Sequence, residues 1–447
     1  MKRLKIGIVG IGSISAYTHM PALSALSEKF DFLAIAELNE EIGRKYAKKY
    51  NVRYYKNHLE MMDNEDLDVV DICTAPITHH ILIYDAAKRG ININVEKPMT
   101  MTLPIADFVL EVVKSSNVHF QVSENYPCMP WDIVINRMLE KGMFGEPAGA
   151  WIRTPVNPFN FDIFVHHYTQ IRQFIRCLPT SVFATLKKSK LLSNRHKVEA
   201  SNYPALADDI FGCYGSSLIE FENEVNGSIE FFPFPYNGRD ADYYYSGDLR
   251  RLVGTKMMVT DNMWPMILPG RGQKEEFHVF HFNENNTFEK IPVEVEKDSF
   301  DGNEYLRKIT VNTDPVIEWE IPSSATFGKI MDEDDIRHSF NCRLPWRTAM
   351  MQLYENLYNN IVSGDDPKID PIYRESVEVC VASIQSAFVE KNRVELPLKK
   401  FTEYEKSYHR KYRDKINEDV FDFVKNDDRH YFSRIYKNGR YQHPAVK

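Results

Sequence analysis

An apolar run ending in Gly-x-Gly is the feature that most narrows what this chain can fold into. Leu4, Ile6, Ile8 and Val9 lead to Gly10, Ile11 and Gly12, and an amphipathic stretch from about Tyr17 to Phe30 follows. That order is the strand–turn–helix of a dinucleotide-binding βαβ unit. Gly10 permits the tight turn, and Gly12 lets the backbone approach a pyrophosphate. Ser13 and Ile14 open the helix, whose N–H groups and positive dipole end face the phosphates. Ser15 stands where the third glycine of G-x-G-x-x-G is usual. The alternative is a plain turn after a strand.

The next segment, Asp31 to Glu37, reads as a second strand ending in an acid. Glu37 lies where such a unit places the carboxylate that accepts the ribose hydroxyls. A carboxylate there repels a 2′-phosphate, so NAD is favoured over NADP. Alternatively, Glu37 begins a polar loop before a helix over 40–50, with Asn39 as its N-cap.

Strand and helix patterns alternate to about residue 125. Val69–Pro76 is a buried strand ending at proline, 78–89 a helix, Ile91–Pro98 a strand, 103–116 a helix, and His119–Val122 a strand. This alternation predicts a doubly wound parallel sheet with its ligand crevice at the strand C-terminal ends. Gly10, Glu37, Thr74 and Lys97 all fall at such ends.

Beyond 125 the character changes. A helix over 131–141 precedes strands at Ala148–Thr154, Ser217–Glu222, Gly227–Phe232 and Leu249–Thr260. The expected fold class is therefore α/β, a Rossmann domain over 1–125 followed by an α+β domain over 126–398 with a mostly antiparallel open sheet. Residues 270–325 read as an insertion with a hairpin, Phe277–Phe282 and Phe288–Val295 flanking a turn at Asn283–Asn286. Helices are expected over 346–363 and 372–391. Residues 399–447 form an aromatic-rich extension in which Tyr404, Tyr408 and Tyr412 make one helical stripe. It either docks on its own domain or reaches a neighbouring subunit.

The 447 residues suit two domains and a tail. A net charge of −8 and a pI near 6.0 argue against nucleic acid as a partner. The six cysteines are scattered without a CxxC pair, as in a reduced cytoplasmic protein. Lys2 and Arg3 before an apolar run resemble a signal peptide, but Gly7, Gly10 and Gly12 suit a phosphate turn better. No window approaches a membrane span.

Three residues suit acid–base work. A lysine at a strand end, Lys97, can hydrogen-bond a substrate hydroxyl and stabilise the oxygen that becomes alkoxide-like as hydride leaves. Asp162 and His166 stand four apart and share one helical face. His166 can take the hydroxyl proton, with Asp162 orienting substrate or ring. The plainer alternatives are an exposed lysine, a capping aspartate and a satisfied histidine. Asn125, Tyr126, Arg153 and His167 are candidate substrate contacts. Tyr236–Asp240 and Tyr243–Tyr245 interleave aromatic and polar groups as a carbohydrate pocket does. His278 and His281 fall on opposite strand faces with no third ligand nearby, so no metal site is expected.

In this order the pieces resemble the Gfo/Idh/MocA oxidoreductases over roughly residues 4–398. Gly10–Gly12 resembles the family's nucleotide turn and Ala36–Asn39 its acid-bearing turn. Thr74–His80 resembles its T-x-P/T-P-N-x-x-H segment, which implies Thr74, Pro76 and His80 at the cofactor. Glu96-Lys97-Pro98 matches the E-K-P signature, which implies Glu96 and Lys97 there, the lysine being catalytic in members that are enzymes. Lys141–Pro147 resembles the lead into the second domain, and Asn392–Pro397 the closing strand. The D-x-G-x-H-x-x-D element is partly kept: Asp162 and His166 match, but Phe164 replaces the glycine and Thr169 the second acid.

The resemblance implies an NAD-dependent dehydrogenase acting on a secondary alcohol of a sugar, inositol or glycoside. It also admits glycoside cleavage through transient oxidation and elimination, and a non-catalytic dinucleotide sensor. Lys97, Asp162 and His166, together with the lack of a basic DNA-binding stretch, speak against the sensor. A homo-oligomer, dimer or tetramer, is expected from the open sheet face.

Overall fold

The computed structural model describes residues 2–154, 159, 161–188, 213–231, 250–261, 277–322 apart from 284, 286, 301 and 302, 340–416, and short pieces between 419 and 441. Tyr236–Asp240 and Tyr243–Tyr245 lie outside the described residues.

The first sheet has six parallel strands. They are β1 (Leu4–Val9), β2 (Phe30–Ala36), β3 (Arg53–Tyr55), β4 (Val69–Ile72), β5 (Asn92–Glu96) and β6 (Phe120–Ser123), in the order β3-β2-β1-β4-β5-β6. The order reverses between β1 and β4, which opens a crevice beyond the C-terminal ends of those strands. Leu4, Ile6, Ile8, Val69 and Val70 are fully buried, as central parallel strands covered on both faces require. After β1 the chain turns through Gly10 into a π-helical turn, Ser15–His19, that continues as α1 (Met20–Ala25). The helix thus ends earlier than the amphipathic pattern predicts, and β2 begins at Phe30. Helices α2 (Glu40–Tyr50), α3 (His58–Asn64), α4 (His79–Ala87) and α5 (Leu103–Ser116) make the crossovers. Asn39 caps α2, its side chain accepting the Ile42 N–H.

Helix α6 (Pro130–Glu140) leads into β7 (Pro147–Thr154), and α7 (Phe161–Ile175) follows. The second sheet adds β8 (Pro179–Lys188), β9 (Cys213–Phe221), β10 (Asn226–Phe231), β11 (Arg250–Gly254), β12 (Met257–Asp261), β13 (Phe277–Phe282) and β14 (Phe288–Ile291). All its pairings are antiparallel except β7 with β10. The stretch expected as one strand, Leu249–Thr260, is two strands folded at Thr255. Gly254 sits so close to the Phe144 carbonyl that a Cβ would lie 2.2 Å from it. The hairpin turn at Asn283 is present, Asn283 Oδ1 accepting the N–H groups of 285 and Thr287. Pro292 splits its second arm. The chain then forms a separate three-stranded sheet of β15 (Val293–Phe300), β16 (Asn303–Val311) and β17 (Ile317–Glu320). Tyr305 of β16 joins the core beneath β1, with Phe30 and Tyr354.

Helices α8 (Phe340–Val362) and α9 (Ile372–Ile384) and strand β18 (Val394–Glu395) close the second domain. Helix α10 (Glu403–Ile416) then returns to the first. A capping box starts α10: Glu405 accepts the Thr402 N–H while Thr402 Oγ1 accepts that of Glu405. Glu405 also accepts the Leu103 N–H at the start of α5, 2.8 Å away. Tyr404, Tyr408 and Tyr412 are all buried. The described helix of the extension, Glu403–Ile416, thus packs on its own chain.

Candidate functional site

The phosphate turn has the conformation its glycines predict. Gly10 has φ +90°, and a Cβ on it would lie 2.8 Å from Thr74 Cγ2. At Gly12 a Cβ would meet nothing within 4 Å, so open space remains for a bulky anion. Ser15, in place of the third glycine, is buried and its hydroxyl donates to the Gly12 carbonyl, 3.2 Å. Glu37 spans two turns: Oε2 accepts the Ile11 N–H and Oε1 the Asn39 N–H, both at 2.8 Å. Burial raises its carboxyl above the ordinary range, against the pull of these N–H donors. Each oxygen keeps lone-pair capacity for a ribose hydroxyl. The open cradle at Gly12 and the Glu37 carboxylate fit the adenosine diphosphate half of NAD.

Thr74 and Pro76 sit at the C-terminal end of β4, where Thr74 Oγ1 and Thr78 Oγ1 are 2.8 Å apart. His79 stitches this loop to the next, its ring nitrogens lying 3.0 Å from the Thr74 carbonyl and 3.1 Å from that of Pro98. His80 departs from expectation. It is buried, and its Nε2 donates to the Val420 carbonyl at 3.0 Å, so it ties α4 to the C-terminal extension.

Glu96 departs likewise. Its Oε1 lies 2.8 Å from Nε2 of His19, whose Nδ1 meets Asp71 at 2.8 Å and the Tyr354 hydroxyl at 3.0 Å. Burial alone would lower His19, but the Asp71 charge outweighs it and holds the imidazole well above its usual range. Burial would raise Asp71 and Glu96, yet His19 holds both below the ordinary carboxylate range. The result is a buried imidazolium between two carboxylates, anchoring the helix after the phosphate turn to β4 and β5. The sequence reading missed His19. Its place on the first helical turn behind the glycines was the available signal.

Lys97, one residue past β5, faces Asp162 of α7 with Nζ 3.9 Å from Oδ2. Burial opposes the ammonium, but Asp162, Glu96 and Glu124 outweigh it and raise its pKa above that of an ordinary lysine. Lys97 is therefore charged. Asp162 is pushed up to about 6 by burial, with Lys97 pulling the other way. Among the described residues, its buried Oδ1 has no hydrogen-bond partner. Phe164, in place of the glycine, is buried against Phe159. Thr169 turns its hydroxyl to the Val165 carbonyl of its own helix.

His166 is fully buried. Nδ1 is hydrogen-bonded to Glu124 Oε1, and the Tyr126 ring stacks on the imidazole with centroids 3.8 Å apart and planes 4° from parallel. Nε2 has no partner. Burial, reinforced by Lys97, holds the ring well below the usual histidine range, so it is neutral. Asn125 Oδ1 is also buried and unpartnered. Glu124 was not foreseen, although it lies one residue past β6, the same strand-end position that marks Lys97. Burial pushes its carboxyl up to about 8.

Two expected substrate contacts turn elsewhere. His167 bonds Thr154 Oγ1 at 2.7 Å and Gln170 Oε1 at 3.2 Å. Through Gln170 it joins the buried Asp132–Arg250–Asp261 network. Arg153 points from β7 to the open sheet face and pairs with Glu230, because strand alternation puts it opposite the helices. Among the described residues, His19, Asp71 and Cys73 bring ligand-type atoms together. Both ring nitrogens of His19 are engaged in the hydrogen bonds above, and the Cys73 thiol donates to Asp71.

Residues 4–124 match GFO_IDH_MocA, the oxidoreductase family with an NAD-binding Rossmann fold. Among curated proteins, the chain is 28% identical over 165 residues to D-apiose dehydrogenase of Paraburkholderia graminis, covering 37% of this chain and 43% of that protein. It is 28% identical over 145 residues to myo-inositol 2-dehydrogenase of Thermotoga maritima, covering 32% and 43%. The chain thus spans under half the length of these relatives. A levoglucosan dehydrogenase solved with NADH and levoglucosan superposes with a TM-score of 0.61 at 17% identity, covering 89% of this chain and all of the other. That likeness supports the fold in both domains. No helix among the described residues is long and apolar enough to cross a membrane.

Proposed function

We propose, from the chain's membership of the Gfo/Idh/MocA oxidoreductases through residues 4–124, that it is a cytoplasmic NAD-dependent dehydrogenase. Its substrate is a secondary alcohol of a sugar, inositol or glycoside. Residues 1–125 hold the dinucleotide, 126–398 complete the substrate site and self-associate, and the extension over 399–447 adds helix α10, which packs against the start of α5. Gly10, Gly12, Ser13 and Ile14 receive the pyrophosphate. Glu37 takes the ribose hydroxyls and disfavours NADP. NAD, when bound, supplies the hydride acceptor. The Lys97 ammonium holds the reacting hydroxyl and stabilises the oxygen as it gains charge. Nε2 of His166 accepts the hydroxyl proton, and Asp162 orients Lys97 and the substrate.

The observation that carries this reading is a charged Lys97 facing Asp162 at the C-terminal end of β5, with its charge also felt by the buried His166, whose Nε2 has no hydrogen-bond partner among the described residues. The test is a panel of polyols, sugars and glycosides incubated with the protein and NAD. NADH accumulation with at least one of them is the expected result. Aglycone release without NADH would instead establish redox-neutral cleavage. Dinucleotide binding with no turnover on any class would leave only a sensor.

A further inference from the structure

A second opening into the molecule lies beneath β6. It encloses about 520 Å³, bounded by β6, the C-terminal half of α8 and the segment leading into α9. Its rim carries the exposed Asp365, Asp366 and Lys368. Its inner wall is made by Gln121, Thr169 and Glu124, all buried. None of Gly10, Gly12, Glu37, Thr74, Lys97, Asp162 or His166 lines it, so this route into the site is separate from the dinucleotide crevice. The volume holds on the order of ten or more waters, and the polar wall gives them partners.

Glu124 therefore faces two ways, with Oε1 on His166 Nδ1 and the residue lining the cavity. We infer that Glu124 is the proton relay of this site, passing to water in the cavity the proton that His166 takes from the substrate hydroxyl. The inference rests on the reading of His166 as the base. An alcohol oxidation must dispose of one proton per turnover while product and reduced dinucleotide fill the crevice, and a fully buried imidazole cannot deliver it to solvent. In the relay the substrate O–H bond breaks and Nε2 gains the proton. The Nδ1–H bond breaks toward the Glu124 carboxylate, which releases its proton to cavity water. The C–H electron pair leaves as hydride to NAD+. Once product departs, Nε2 gives its proton to water entering the emptied crevice, and Glu124 passes a proton from cavity water back to Nδ1, restoring the Nδ1–H tautomer.

The charged and titratable groups around Glu124 fit this role. Lys97 and Glu96 face it from the end of β5, and Asp162 and His166 from α7. Tyr126 and Cys128 face it from the turn after β6, and Tyr373 from α9. Burial sets the Glu124 carboxyl at about 8, with Lys97 pulling it down and Glu96 pushing it up. The pair titrates as a unit. The form that accepts the substrate proton is the deprotonated pair, so alcohol oxidation rises with pH through that value.

The decisive variant is Glu124→Gln, which keeps shape and hydrogen bonding but cannot carry the proton. Turnover should fall at least ~10-fold, the loss of one proton-transfer step, with KM little changed. The rising limb near 8 should move below 7, because His166 then titrates alone and low. Turnover of Glu124→Ala should be restored at least partly by formate entering the cavity. Nitrogen-15 NMR of the ligand-free protein should find His166 fixed as the Nδ1–H tautomer, and mixed in Glu124→Ala. An unmoved limb in Glu124→Gln, in a protein that His166→Ala inactivates, overturns the relay and leaves the base assignment standing. A moved limb without formate rescue also overturns it, reducing Glu124 to a positioning residue. If His166→Ala is itself fully active, the reading of the site falls first.

Discussion

Replacing Lys97 with methionine removes the ammonium that faces Asp162 and Glu124 while keeping most of the side-chain volume. At the observed 3.9 Å, and with an effective dielectric of about 20, the Lys97–Asp162 attraction alone is worth ~4 kcal/mol. That corresponds to about three pKa units. Asp162 already titrates at about 6, so without the lysine it is protonated throughout the neutral range and can no longer orient an alcohol as an acceptor. On the proposed mechanism, the developing alkoxide also loses the Lys97 ammonium. Removal of one such donor costs ~10²–10³ in turnover, and that is the expected loss. NAD affinity should stay nearly unchanged, because the phosphate turn and Glu37 lie on other strands. The assay pairs initial rates of NADH formation on the true substrate with calorimetric titration of NAD. Full turnover in Lys97→Met would refute the dehydrogenase chemistry. Equal losses in NAD binding and turnover would make Lys97 a dinucleotide anchor instead.

Three further outcomes are expected. Glu37→Ala should weaken NAD binding by calorimetry and narrow the preference over NADP, and a native preference for NADP would refute the assignment. Trp151, Leu218 and Phe183 form a row across β7, β9 and β8 on the open sheet face, each about 40% exposed. The native protein should therefore sediment as a dimer or tetramer, and Trp151→Lys with Leu218→Lys should yield monomers. A native monomer at micromolar concentration would remove this interface. Tyr412 is fully buried against Tyr408 and His80, so Tyr412→Ala should cost ~3–5 kcal/mol in denaturant melts. The loss should be independent of protein concentration because the contact is within one chain. A loss under about 1 kcal/mol would make this packing dispensable.

What was legible in the sequence was whatever local periodicity or turn chemistry enforces. The parallel strands announce themselves as continuous Ile/Val runs, since both faces are buried. Gly10 must take a positive φ, and that need is visible as a glycine. Asp162 and His166 were readable as a pair because helical spacing alone puts them on one face. The misplaced residues are those whose partners are distant in the chain. His80 follows the cofactor loop in sequence, but its ring turns 340 positions downstream to Val420. Glu96 sits beside Lys97, yet its hydrogen bond goes to His19, 77 residues upstream. Glu124 shares with Lys97 the position one past a strand, but its partner His166 is 42 residues away, and only the packing of α7 against the turn after β6 brings the two together.

These long-range contacts also account for how two separately legible units become one site. The His19 imidazolium bonds Asp71 of β4 and Glu96 of β5, so the helix after the glycine turn is tied to the strand that leads into Lys97. Tyr354 of α8 closes the same cluster from the second domain, its hydroxyl 2.6 Å from Asp71. Breaking a buried pair of this kind is costly because it strands an uncompensated charge. The cluster therefore resists small displacements of the helix relative to β5. Asp162 and His166 arrive from α7, which packs against α9 and β7, and meet Lys97 across that fixed edge. Hydride transfer between a dinucleotide and an alcohol demands that the two be held at fixed separation. On the proposed reading, the residues that meet this demand are largely His19, Asp71 and Tyr354, which stand behind the site.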